Sequence, residues 1–357
     1  MKKHNFGAGP SILPQEVFEQ SAQACLDYNG IGLSLLEISH RSKEFIGILD
    51  ETISLTKELL NIPSGYQVLL IQGGANMQFA MVPYNILNEN ETADFVETDI
   101  WASRAEEETR LYGKTKIIAS SKDSNFNYIP KDFKVDADAA YLHLTSNNTI
   151  YGTAYFEDKQ YQIPVVCDMS SDIFSRPVDI SKYHLIYAGA QKNLGCAGIT
   201  MVIIKDEWLG RSSRPKSRMW DYNIYAKNNS LYNTPPVFTI YTCLLTLRWL
   251  KKLGGLAEME KRNMAKAALL YQEIDRNSLF KGHSVPEDRS RMNINFIAMH
   301  PEDDAAFLEF VKGYNIHGIK GYRTVGGFRA SCYNALPIES VQVLVQAMQD
   351  FEERKKV

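Results

Sequence analysis

The stretch His184-Leu-Ile-Tyr-Ala-Gly-Ala-Gln-Lys192-Asn-Leu-Gly195 begins as a short apolar strand and ends among small residues. One lysine stands in its middle. A lysine is ordinarily a solvated surface group, and for Lys192 taken alone that reading stays open. Its flanks favour another. Ala188, Gly189 and Ala190 clear space on one side, and Gly195, Ala197 and Gly198 on the other, so a bulky group could approach the backbone. A partly desolvated ammonium has a lowered pKa, and its freed lone pair can attack a carbonyl.

Upstream, Ile163-Pro-Val-Val-Cys-Asp168-Met-Ser-Ser171 runs an apolar strand straight into an aspartate. Open α/β sheets bind ligands at the carboxyl ends of their strands, although an Asp there also starts turns and caps helices. Lys192 and Asp168 together suggest a pyridoxal 5'-phosphate (PLP) site. The lysine would form the Schiff base. The aspartate would keep a proton on the pyridine nitrogen, so that the ring accepts electrons.

These two stretches lie between Asn5-Phe-Gly-Ala-Gly-Pro10 and Gly326-Gly-Phe-Arg-Ala-Ser-Cys-Tyr-Asn-Ala335. Together, and in this order, they resemble the phosphoserine aminotransferase family of class V, fold-type I PLP enzymes over nearly the whole chain. The resemblance implies an α/β fold: a mostly parallel seven-stranded sheet in a large PLP-binding domain, and a smaller α+β C-terminal domain. Its division would be an N-terminal arm (1–15) joining the small domain, a large domain (16–255) and a small domain (256–357). The implied activity is ping-pong transamination in serine biosynthesis. Glutamate would leave as 2-oxoglutarate, and 3-phosphohydroxypyruvate would leave as phosphoserine. Members of the family also act in vitamin B6 synthesis, on a phosphorylated four-carbon hydroxy-oxo acid.

The bulk numbers agree with a soluble enzyme. The 357 residues are 45% hydrophobic and 23% charged, enough for two domains with a sizeable core. A net charge of -3 gives no reason to expect nucleic acid or a membrane as partner, so any phosphate must be met by a local cluster of arginines. Five scattered cysteines without a CxxC spacing predict reduced thiols in a cytoplasmic protein. The histidines show no HxxxH pattern, so no metal is expected. The Met1-Lys-Lys-His start does not resemble a signal peptide, and no apolar run reaches transmembrane length.

Along the chain, helix and strand signals alternate as a parallel sheet covered on both faces requires. Helices are predicted from Pro14 to about Tyr28 and from His40-Arg41-Ser42 through Leu60. Val68–Ile71 reads as a buried strand ending in Gln72-Gly73-Gly74-Ala75-Asn76, followed by a helix from Met77 to Leu87. Glycines at a strand end are often only a tight turn. The same layout also presents backbone N–H groups and a helix dipole to a phosphate, and the resemblance assigns that role to Ala75 and Asn76. Further strands are predicted at Asp94–Glu97, Lys116–Ala119, Tyr141–Leu144, Val165–Cys167, Leu185–Tyr187 and Ile199–Ile204. Residues 205–236, polar and ending in Asn233-Thr234-Pro-Pro236, read as an extended linker. From Leu256 the pattern turns to α+β.

The remaining site residues come from the resemblance. Trp101 would stack on the cofactor ring, though alone it could be plain core. Thr149, in an otherwise ordinary polar loop, would lie beside the ring hydroxyl, and Gln191 joins the cofactor-binding set. Asn233 and Thr234 would cross to a partner subunit and bind its PLP phosphate, which implies a homodimer with shared sites. Arg329 would grip the α-carboxylate of the substrate bidentately, with a structural salt bridge as the open alternative. His40, Arg41, Tyr322 and Arg323 would surround the distal anion. Three positions depart from the family: Tyr322 for a common histidine, Gly7 for a frequent serine, and Asn76 for an arginine or serine. A class V relative of another specificity, such as a cysteine desulfurase, would need a mobile catalytic cysteine. A non-catalytic PLP-binding protein would not need Lys192, Asp168 and Arg329 together.

Overall fold

The structure, a computed structural model, describes residues 3–356. After a short strand β1 (His4–Asn5) come α1 (Gln15–Leu26) and α2 (Lys43–Leu59). Ser42 caps α2 by accepting from the Phe45 amide at 3.3 Å, which satisfies one of the donors that a helix start leaves open. Phe45, Ile48, Leu49, Thr52, Leu55 and Thr56 face inward at helical spacing.

The next part alternates: β2 (Tyr66–Gln72), α3 (Ala75–Ile86), β3 (Thr92–Glu97), α4 (Ile100–Thr109), β4 (Lys114–Ser120), β5 (Tyr141–Thr145), β6 (Val165–Asp168), β7 (Leu185–Gly189) and β8 (Ile199–Lys205). These strands form one seven-stranded sheet in the order β2-β8-β7-β6-β5-β3-β4. Every pairing is parallel except those of β8, which runs against both β2 and β7. The central strands β5, β6 and β7 are buried along their whole length. That is why they read as continuous apolar runs rather than alternating ones. Leu142, Leu144, Val165, Cys167 and Ile186 pack toward α1 and α2 on one face. Phe95, Tyr141, Val166, Leu185 and Tyr187 pack toward α3 and α4 on the other.

Residues 205–236 are not the extended linker expected. They fold into short turns and a helix, α5 (Tyr222–Lys227). The cause is the aromatic content within the polar background. Trp208, Tyr222 and Tyr225 are buried in the core beneath the sheet, and the Tyr222 hydroxyl donates to Gln78 Oε1 at 2.6 Å.

Helix α6 (Val237–Lys252) lies on the α2 side, and α7 (Gly255–Arg276) leads away from it. The first turns of α7 give Leu256 and Met259 to the large core. Its later turns give Ala267, Leu270 and Ile274 to a second core, so one helix belongs to both. The second core is completed by β9 (Phe280–Gly282), β10 (Asn293–Ala298), α8 (Asp303–Phe310), β11 (Ile316–His317), β12 (Phe328–Ser331) and α9 (Ile338–Lys356). Phe280, Phe296, Phe307, Phe328 and Phe351 form its aromatic centre, with ring centroids 4.8–6.4 Å apart. Phe6 belongs to the same cluster, because β1 pairs in parallel with β11 and carries the arm across. Among the described residues no helix is long and apolar enough to cross a membrane.

Candidate active site

Parallel strands end at one edge of a sheet, and β5, β6 and β7 are neighbours. Thr145 therefore lies opposite Asp168, and Asp168 opposite Tyr187. The chain leaving β7 turns through Ala190, whose carbonyl accepts from the Gly195 amide at 2.8 Å. Lys192 sits within this turn. The N-terminal arm closes over it. Ser11 Oγ donates to the Lys192 carbonyl at 2.5 Å, and Gly9 lies on the lysine stem, where an added Cβ would come 3.7 Å from Lys192 Cγ at a φ of +147°. That φ strongly disfavours any other residue.

The Lys192 Nζ donates to Thr149 Oγ1 at 2.6 Å. Burial pushes its pKa down to about 8; Asp168 and Asp99 act against that and Arg329 with it. Asp168 is buried and accepts from the Ser170 amide at 2.8 Å. Burial raises its pKa, opposed by Ser170, Lys192 and Tyr187. Asp99 caps α4, accepting from the Trp101 and Ala102 amides at 2.7 and 3.0 Å. It is fully buried, and desolvation pushes it up to about 7 against the pull of those amides. Its Oδ2 has no partner. The cap fixes Trp101 in the first turn of α4 at the cavity wall.

The cavity has a volume of about 430 Å³ and brings together Ala75, Asn76, Trp101, Thr149, Asp168, Gln191, Lys192, Tyr322 and Arg329. Gly74 caps α3 without a side chain, and Gly74, Ala75 and Asn76 line the cavity; the amides of such a first turn are a ready anion site. Gly189 makes room for Gln191, whose Oε1 would lie 2.7 Å from a Cβ there. An anion site, a flat indole, a carboxylate and a lysine in one cavity can hold a phosphorylated aromatic aldehyde.

Arg329 lies on β12 opposite Asn295. Its Nη1 donates to the Thr149 carbonyl at 3.2 Å, and its Nε has no partner. It makes no ion pair among the described residues. Desolvation lowers its pKa. A partly buried guanidinium without an acid is open to a carboxylate from outside, so the structural salt bridge is not what is found. Tyr322 packs on the cluster of Phe126, Ile150 and Tyr151 at the rim, as Trp101 does.

The other five predicted residues lie outside this cavity. Arg323 follows Tyr322 but is exposed in the turn. Asn233 and Thr234 sit beyond the end of β2, where Gln72 Nε2 donates to the Thr234 carbonyl at 2.6 Å. His40 and Arg41 precede α2, and Arg41 is exposed. Among the described residues none of these five lines the cavity with Lys192, although Arg323 adjoins Tyr322, which does.

Three contributors escaped the sequence reading: Asp99, Ser170 and the arm residue Gly9. Asp99 carries only the signature of a helix cap, and as the cap of α4 it fixes Trp101, the residue that the resemblance assigns to the site.

The chain belongs to the class-V aminotransferases: the family described as "Aminotransferase class-V" matches residues 3–344. The phosphoserine aminotransferase of Flavobacterium psychrophilum is 56% identical, covering 99% of this chain and all of that protein. Among solved structures, phosphoserine aminotransferase from Bacillus circulans subsp. alkalophilus superposes with a TM-score of 0.96 at 43% identity, over 99% of each chain. The PLP-bound phosphoserine aminotransferase of Trichomonas vaginalis superposes at 0.93 and 36% identity, over 98% of this chain and all of that one.

Proposed function

We propose that this class-V aminotransferase is a phosphoserine:2-oxoglutarate aminotransferase. It moves the amino group of glutamate to 3-phosphohydroxypyruvate, giving 2-oxoglutarate and phosphoserine. The observation that carries this reading is one cavity holding a lysine of lowered pKa, a buried strand-end carboxylate and an arginine without an acid partner.

The residues present fit PLP. The first amides of α3 would hold its phosphate, Trp101 its ring face, Thr149 its hydroxyl, Asp168 its pyridine nitrogen and Lys192 its aldehyde carbon. When bound, PLP supplies the electron sink that stabilises negative charge at the substrate Cα. The chain does the rest. Arg329 binds the α-carboxylate and fixes the orientation of the Cα–H bond. Lys192 Nζ, uncharged in a large fraction of molecules near pH 8, takes the Cα proton. The Ser170 amide favours the ionised form of Asp168 against the burial that raises its pKa, and that carboxylate would hold positive charge opposite it.

The anion pocket of His40, Arg41, Tyr322 and Arg323, and the Asn233-Thr234 contribution, belong to a homodimer with shared sites. What supports this is that His40, Arg41, Arg323, Asn233 and Thr234 lie outside their own cavity while Tyr322 lines it, and that Leu26, Ile31, Leu33 and Leu36, just ahead of His40 in the chain, are exposed. The division at 15/16 and 255/256 is part of the same reading, supported by two separate cores. So is a cytoplasmic location, supported by five unpaired cysteines. None of those cysteines lines the cavity, which disfavours a desulfurase. The test is a set of half-reactions of the purified holoenzyme with phosphoserine, alanine and cysteine. Fast conversion by phosphoserine alone is expected; faster conversion by alanine or cysteine would assign another member of the class.

A further inference from the structure

Strand register sets three polar side chains on the α3/α4 face of the sheet. Asp168 and Tyr187 are direct partners across β6 and β7. His143 pairs with Val166 across β5 and β6, two residues before Asp168. His143 Nε2 and the Tyr187 hydroxyl are 2.9 Å apart. Both residues are buried, at 3% and 1% exposure, so water does not complete their hydrogen bonding. The His143 ring stacks on Phe95, with centroids 5.0 Å apart and planes 23° apart, and Phe79 meets the Tyr187 ring edge-on at 6.2 Å. A phenol and an imidazole held between aromatic rings beneath the cavity have no part in the core that leucines could not fill better.

We propose that Tyr187 and His143 are positioning residues for Asp168, with the Tyr187 O–H donating to the Asp168 carboxylate and the Tyr187 oxygen accepting from the Nε2–H of His143. This rests on the reading that Asp168 serves the cofactor nitrogen. A phenol has one proton to give. Once it goes to the carboxylate, the contact with His143 requires the proton on Nε2, leaving Nδ1 as a bare acceptor. Nδ1 is buried and has no partner. Among buried groups an unpaired acceptor is better tolerated than an unpaired N–H, so the surroundings favour this tautomer over the other. Burial also pushes His143 down to about 3, so the ring is neutral and the relay carries no net charge. Its effect is directional. It fixes which carboxylate oxygen of Asp168 is free and keeps it ionised at the strand end, with the Ser170 amide on Oδ1.

Two measurements on the holoenzyme test this. The first is long-range ¹H–¹⁵N correlation on histidine-labelled protein, with His143 assigned by its loss in His143→Gln. Nδ1 should resonate as an unprotonated nitrogen and Nε2 as a protonated one; the reverse would overturn the relay. The second is a kinetic cycle of Tyr187→Phe and Asp168→Asn, read as the rate of the glutamate half-reaction at saturating substrate. Tyr187→Phe should slow it about tenfold, the loss of one charge-assisted hydrogen bond, without changing the glutamate concentration at half-saturation. In the Asp168→Asn background it should have no further effect. Equal effects in both backgrounds would make Tyr187 merely structural and overturn the proposal. His143→Gln keeps an N–H donor and should retain more of the rate than His143→Ala. If Asp168→Asn itself leaves the rate unchanged, the role of Asp168 fails, and the tautomer measurement then reports on the relay separately.

Discussion

Lys192 and Thr149 are joined by a 2.6 Å hydrogen bond from Nζ to Oγ1, and the carbonyl of the same threonine accepts from Arg329. One residue thus sets the height of the amine and the reach of the guanidinium. Thr149→Val keeps the shape and removes only the hydroxyl. It should lower kcat by about two- to tenfold, the range for one neutral hydrogen bond, and leave the KM for glutamate nearly unchanged. Steady-state kinetics check this; a change confined to KM would place the hydroxyl in substrate binding instead.

The lowered pKa of Lys192 can be read chemically. At pH 8 about half of its amines are uncharged, against well under ~1% for an ordinary lysine. In cofactor-free protein, acetylation of Lys192 followed by peptide mass spectrometry should titrate with a midpoint near 8. Asp168→Asn removes a carboxylate that pulls this pKa up, so the midpoint should move lower. A wild-type midpoint near 10 would mean that the amine is solvated.

Asp99 ties stability to pH. Its folded pKa of about 7 lies above the ordinary value of 3.8, so the folded state holds the proton longer than the unfolded chain does. Stability from this group is present at low pH and is lost as pH rises from about 4 to about 7, with no further change above that. Asp99→Asn still caps the helix but cannot ionise. Urea midpoints of the cofactor-free protein at pH 5 and pH 8 should therefore fall less with pH in the variant than in the wild type.

The arginines separate by substrate. Arg329→Ala should lower kcat/KM for phosphoserine and alanine alike, since both carry the α-carboxylate. Arg41→Ala and Arg323→Ala should penalise phosphoserine alone, by tenfold to a hundredfold for one or more charged hydrogen bonds. If both substrates lose by the same factor, these two arginines do not read the phosphate.

A shared site can be reconstituted from two broken ones. Mixing Lys192→Ala chains with Asn233→Ala/Thr234→Ala chains should restore part of the activity once subunits have exchanged. No recovery, with exchange shown by mass spectrometry of tagged chains, would mean that each site is built from a single chain.

The sheet was legible because strands buried on both faces have no choice but apolar runs: Val68–Ile71, Val165–Cys167 and Ile199–Ile204 read as strands and are strands. Lys192 and Asp168 stood out because a charge at the end of such a run is costly without a use. Other features were hidden for physical reasons. The α5 segment looked like a linker because its order comes from Trp208, Tyr222 and Tyr225 reaching back to a distant core, which leaves no local period. Asp99 carries the same cap signature as any exposed helix start, and only burial, a property of the fold, changes its chemistry. His143 and Tyr187 become neighbours through strand pairing, so no spacing along the chain announces them.

The pairing of β1 with β11 has a consequence for how the chain is made. Phe6 is made well before Phe280, Phe328 and Phe351, with which it shares a core. The large sheet can form during translation, whereas the second core must wait for the final helix before the arm has anywhere to dock. Until then the contacts of Gly9 and Ser11 with Lys192 lack the support of the β1–β11 pairing. The cover that the arm gives the lysine is therefore fully anchored only after α9 has been made.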